Sequence, residues 1–148
     1  MFKSMGGQNM AQASSFLGLD FGRAKIGLAL ADGETRLAFA FGALKNDRQF
    51  QAKLKKIILE NQVGKIIVGK TKHEKDLQSS EDKIKFGKQL EETLGISVEF
   101  FDEMFTTKMA HENLKMHGGK NLAQFDDQEA ARIILQGWLD KIQNNLTI

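Results

Sequence analysis

The stretch FLGLDFGRAKIGLALAD, Phe16 to Asp32, places one carboxylate, Asp20, at the end of an apolar run and just ahead of a glycine-containing turn. An ionised acid in such a strand costs several kcal/mol unless a cation compensates it. Acids gather after or before apolar runs at two further places. Asp102 and Glu103 follow VEFF, and Asp126 and Asp127 precede QEAARIILQGWLD. In an α/β sheet, ligands collect outside the carboxyl ends of the strands, so these acids can converge although they are far apart in sequence. Three carboxylates tolerate one another at close range only when cations neutralise them. Hard divalent ions such as Mg²⁺ or Mn²⁺ use one or two carboxylates each and keep water for a phosphate substrate. Two such ions can activate water and stabilise the leaving oxygen of a phosphodiester. Asp20 is then a metal ligand; the competing assignment is a turn residue solvated at the strand edge. Asp102 and Glu103, taken singly, also read as ordinary polar residues at a strand end.

Asp126 and Asp127 are not equivalent. Asp126, with Glu129 three residues on, has the spacing of a helix N-cap, which is a structural task. Asp127 heads the stripe Asp127, Ala131, Ile134, Trp138, whose helical phase faces inward.

The elements that must position these acids follow from periodicity and turn chemistry. Phe16–Phe21 and Ile26–Ala31 read as strands around the turn GRAK, DGET makes the next turn, and Thr35–Leu44 supplies a third strand. The connections are too short for parallel crossovers, so the three form an antiparallel meander. Phe50, Leu54, Ile57 and Ile58 recur at helical spacing within Asp47–Asn61, and KIIVG, Lys65–Gly69, is a short buried strand. A second helix has a capping-box-like start at Ser79 with Asp82, and Gly95 closes it. ISVEFFDE is the fifth strand, TTKMAHENLKMH a helix opened by Thr106 or Thr107, and the last helix covers about Asp126–Ile142. The order β-β-β-α-β-α-β-α-α predicts an α/β fold, a mixed sheet with helices on its faces.

The chain has 148 residues, 41% of them hydrophobic, which suits one compact domain over 16–148. Residues 1–15 lack periodicity and read as a mobile tail. The chain has no cysteine, which excludes disulfides, thiolate nucleophiles and Cys-based zinc sites. Without an apolar signal core or a membrane-length apolar run, a soluble cytoplasmic protein is the expectation. Net charge is +2, but it is unevenly spread. Lys53 to Lys88 contains ten Lys against five acids, whereas Glu91 to Glu103 holds five acids and no base. The first region could face a polyanion; the alternative is a solvated lysine-rich surface. No P-loop or Ser/His/Asp triad is present. His73 lies in the lysine-rich loop, and His111 and His117 lack acids at metal-ligand spacing.

LGLDFGRAKIGLALAD, KIIVG, FFDEMFTT and FDDQEAARIILQGWLD resemble, in order and spacing, the YqgF/RuvX family, over Leu17 to Asp140. That resemblance implies an RNase H-like fold: a mixed five-stranded sheet, three antiparallel strands then two parallel, with helices on both faces. The family is described as candidate pre-16S rRNA nucleases, with some members Holliday-junction resolvase-like. Its motifs put the catalytic, metal-holding acids at Asp20, Glu103 and Asp127, with Mg²⁺ or Mn²⁺ as cofactor, and prefer Glu103 over Asp102. Members usually carry GLP and an Asp-Gly turn after the fourth strand, where this chain reads GKTKHEKDLQSS. Lys25, Lys70, Lys72, Thr106 and Thr107 are the candidate phosphate contacts.

The leading expectation is a metal-dependent phosphodiesterase acting on structured nucleic acid, pre-rRNA or branched DNA, as monomer or homodimer. A non-catalytic nucleic-acid-binding module is the first alternative; three acids would hinder phosphate binding alone. An actin-like nucleotide binder is the second, suggested by DFG after the first strand and disfavoured by length.

Overall fold

The computed structural model describes residues 15–70, 77–102 and 126–146. Five strands form a single sheet: β1 (Ser15–Asp20), β2 (Lys25–Asp32), β3 (Ala38–Lys45), β4 (Val63–Lys70) and β5 (Ser97–Asp102). The spatial order is β3-β2-β1-β4-β5. β1 pairs antiparallel with β2, and β2 with β3, while β4 runs parallel to both β1 and β5. The expected meander is therefore present, followed by two parallel strands. Three helices complete the described fold: α1 (Phe50–Glu60), α2 (Leu77–Leu94) and α3 (Asp127–Leu146). The expected helix over TTKMAHENLKMH lies outside the described residues. Among those described, no helix is long and apolar enough to cross a membrane.

Several element boundaries depart from the sequence reading for local reasons. β3 starts at Ala38 rather than Thr35 because the preceding turn continues through Arg36, which adopts a left-handed φ of 57° and donates its N–H to Asp32 O at 2.9 Å. α1 starts at Phe50 rather than Asp47. The Asp47 carboxylate accepts the Gln49 N–H at 2.9 Å, and this local bond competes with helix. α1 ends where Asn61 donates to Ile57 O from both backbone and side chain, after which Gln62 turns left-handed at φ 53°. α2 begins at Leu77, so Ser79 lies inside its first turn and is not its cap. Its C-terminal stop is as expected: Gly95 takes φ 65° and donates to Glu91 O at 3.0 Å.

Strand alternation divides the sheet into two unlike faces. Leu17, Leu19, Ile26, Leu28, Leu30, Ile66 and Val68 face α1 and α2, packing against Phe50, Leu54 and Leu90. The opposite face presents Ala29, Ala31, Ile67 and Phe101 to Ala131, Ile134, Leu135, Trp138 and Leu139 of α3. On the second face Gly18, Gly27, Ala29 and Ala31 are small, so α3 approaches closely there. A Cβ added at Gly18 would lie 2.7 Å from Leu135 Cβ and 3.1 Å from Ala131 O.

Polar contacts tie α3 across the whole width of the sheet. At the β3 edge, the Gln136 carboxamide accepts the Ala38 N–H at 2.8 Å and donates to Arg36 O at 3.2 Å. Toward β5, Trp138 Nε1 donates to Glu99 Oε2 at 2.8 Å, and Lys65 Nζ holds Glu99 Oε1 at 3.1 Å. Phe16 meets the Trp138 ring edge-on, with centroids 5.1 Å apart. Anchored at both sheet margins, α3 has little freedom to slide, and the position of its first residue is correspondingly defined.

Candidate active site

β1, β4 and β5 run parallel, so their carboxyl ends, Asp20, Lys70 and Asp102, lie at one end of the sheet. Phe16, Gly18 and Asp20 alternate onto the α3 face of β1, and Lys65, Ile67 and Gly69 onto that face of β4. On β5 it is the odd-numbered positions, Glu99 and Phe101, that meet α3.

Asp20 is directly opposite Gly27 in the antiparallel β1–β2 ladder. Residues opposite one another send their side chains to the same face, roughly 5 Å apart. At Gly27 there is no side chain, and the first residue of α3 fills the space. A Cβ built there would fall 1.9 Å from Asp127 O, 2.3 Å from Asp127 C and 2.9 Å from Gln128 N. The main chain of Asp127 therefore rests on the strand residue next to Asp20, and the two acids share one corner of the α3 face. Asp127 is half-buried.

Asp126 does the structural work expected of it. Its carboxylate accepts the Glu129 N–H at 2.9 Å and its carbonyl accepts the Ala130 N–H at 2.9 Å. Glu129 does not reciprocate as in a capping box; its carboxylate instead binds Arg132, with Oε1 2.6 Å from Nε. Asp126 and Glu129 are thus each occupied with neighbours in α3.

Lys25 opens β2, is exposed, and pairs across the ladder with Lys45. Lys70 closes β4 opposite Asp102 of β5. Glu103, Lys72, Thr106, Thr107 and the three histidines lie outside the described residues. Among those described, no cluster of three His, Cys, Asp or Glu side chains could hold a metal. Two positions escaped the sequence reading: Gly27, whose place inside an apolar strand was the available signal, and Lys45, one residue past the expected end of β3.

The profile of the RuvX family, described as Holliday junction resolvase, matches residues 14–141. A candidate pre-16S rRNA nuclease of Anaeromyxobacter sp. (strain Fw109-5) is 37% identical over 132 residues, covering 84% of this chain and 96% of that protein. A protein of the same name from Clostridium botulinum (strain Alaska E43 / Type E3) is 36% identical over 135 residues, covering 85% and 96% respectively. In three dimensions, T. thermophilus RuvC in complex with Holliday junction substrate superposes with a TM-score of 0.59 at 13% identity, over 88% of this chain and 96% of that one. The fold is thus the RuvC-like RNase H fold, and the chain belongs to the RuvX family.

Proposed function

We propose that this protein is a metal-dependent nuclease that hydrolyses phosphodiester bonds in structured nucleic acid, with processing of the 5′ end of pre-16S rRNA in the cytoplasm as its leading role. The observation that carries the reading is the seating of Asp127 on Gly27, the residue paired with Asp20. That seating brings the main chain of one acid beside the strand position of another at the carboxyl end of the sheet, where α/β folds gather their ligands. The family motif FFDEMFTT, which the match over residues 14–141 covers, supports Glu103 as the third donor.

An oxygen-rich, sulfur-free donor set suits Mg²⁺ or Mn²⁺. Bound there, the metal would supply activation of the attacking water and stabilisation of the leaving oxygen. Asp20 and Asp127 would themselves be donors, one fixed at the end of a central strand and one at the start of a helix anchored at both sheet margins. Lys25, Lys70, Lys72, Thr106 and Thr107 would contact backbone phosphates around them. The relatives' name supports pre-16S rRNA as substrate; the family's description favours branched DNA as the second reading. Cleavage of a precursor 16S rRNA fragment and of a four-way DNA junction, each with Mg²⁺, Mn²⁺ or EDTA, separates them. Cleavage of neither substrate with either metal, by folded protein, would overturn the proposal.

A further inference from the structure

Lys25 and Lys45 are directly opposite one another on β2 and β3. They lie two residues outward from the rung Ala43–Gly27–Asp20, and alternation puts them on the same face as Asp20 and α3. Both are exposed, and among the described residues neither has an ion-pair partner. Like charges directly opposite in a ladder destabilise it, so the pairing does nothing for the fold.

Its position is nonetheless held firmly. Asn46, the residue after Lys45, donates from its side chain to Gly22 O at 2.9 Å and from its backbone to Ala24 O at 2.9 Å. That clamps the end of β3 to the turn joining Asp20 and Lys25. The turn itself is tight, since a Cβ at Gly22 would fall 2.5 Å from Lys25 O. The result is two lysines on a firmly held backbone beside the Asp20 rung, unneutralised among the described residues. Two residues along an antiparallel strand span roughly 7 Å, comparable with the separation of successive phosphates along one nucleic-acid strand.

We infer that Lys25 and Lys45 together grip a backbone phosphate next to the scissile one, so that the substrate strand runs over the α3 face toward the β3 edge. The inference rests on the nuclease reading and adds Lys45 as a substrate-positioning residue. A phosphate between two lysines also removes their mutual repulsion, which explains why the pair is tolerated.

The test measures binding of a precursor 16S rRNA fragment and of a four-way DNA junction by the full chain in EDTA, across a range of KCl. Lys45→Ala should weaken binding several-fold and flatten the plot of log affinity against log salt by part of the roughly 0.7 to 0.9 that one phosphate contact contributes, the remainder going when Lys25→Ala is added. Lys45→Arg should restore both. Lys141→Ala, at the far end of α3, removes the same charge and should leave the slope alone. If Lys45→Ala and Lys141→Ala behave alike, or if the wild type binds neither nucleic acid, the contact does not exist. Cleavage by the wild type with Mg²⁺ is scored separately, so failure of the nuclease reading is distinguishable from failure of the contact.

Discussion

Gly27→Ala is the substitution that bears most directly on how the site is assembled. The new methyl carbon would lie 1.9 Å from Asp127 O and 2.3 Å from Asp127 C. Both are main-chain atoms, so no rotamer change relieves the overlap. Bringing the carbon back to an ordinary contact requires the first turn of α3 to retreat by roughly 1.5 Å. Overpacking of this kind costs about 1–3 kcal/mol of stability, which a marginal domain can survive. Catalysis is less tolerant, since misplacement of a reacting group by about 1 Å can cost on the order of 100-fold. Gly27→Ala should therefore fold, melt lower, and lose about two orders of magnitude in kcat for metal-dependent cleavage. Gly95→Ala is the matched control. Its φ of 65° strains an L-residue, but nothing lies within 4 Å of the added carbon. It should cost about 1–2 kcal/mol and leave kcat intact. The two variants are compared by thermal melting and by single-turnover cleavage with Mg²⁺. A folded Gly27→Ala protein with wild-type kcat would refute the reasoning, because Asp127 would then not need its seat on β2.

The adjacent acids on α3 separate structure from chemistry: Asp126→Ala should cost about 1 kcal/mol through the lost cap with turnover kept, while Asp127→Asn should abolish cleavage in well-folded protein. The reverse pattern, read by the same melting and cleavage assays, would move the ligand to Asp126. The family motif leads to the expectation that Glu103→Gln abolishes cleavage and Asp102→Asn does not; equal losses would overturn that assignment. Chelation with EDTA should eliminate activity, and millimolar Mg²⁺ should raise the melting temperature by relieving repulsion among the acids, an increment Asp20→Asn largely removes. A melting temperature indifferent to Mg²⁺ would count against a shared site. Replacing Lys70, Lys72 and Lys75 together by Ala should reduce the salt slope of nucleic-acid binding by roughly two to three units, and an unchanged slope would place the substrate elsewhere.

Much of this architecture was legible in the sequence because its signals are local. The meander followed from turns too short for crossovers, and the α3 stripe from the phase of Asp127, Ala131, Ile134 and Trp138. Asp126 as a cap needed only the residue type and a helix to its right. What escaped was set by contacts no window contains. Arg36 in a left-handed turn moved the start of β3, and nothing in its type announces that conformation. The Asp47 side chain shortened α1 by turning back on Gln49. Ser79 has the composition of a cap and is not one, because the helix had already begun at Leu77. The role of Gly27 depends on a register, Asp20 opposite Gly27, and on a helix a hundred residues away. The choice of Glu103 over Asp102 rests on the family motif, because β5 ends at Asp102 and Glu103 lies outside the described residues.

The two faces of the sheet divide the fold's tasks, and the division bears on why the site is where it is. On the α1 and α2 face, large aliphatic side chains interdigitate, and burial of this kind supplies most of the stability. On the α3 face, Gly18, Gly27, Ala29 and Ala31 give up that burial. Glycine inside a strand also weakens the strand. The return is closeness, since main chain meets main chain at Gly27 and the helix start is placed by hard contact. Placement through long side chains would allow rotamer changes that move a carboxylate by an ångström or more. Contact with backbone does not, and the Gln136 and Glu99 bonds at the two sheet margins keep α3 from rolling off it. A site that needs two acids from unconnected elements held at fixed separation is best built on the face with the smallest residues. Enlarging those residues should therefore affect turnover before it affects folding, whereas truncating Leu17 or Ile66 on the opposite face should affect folding first.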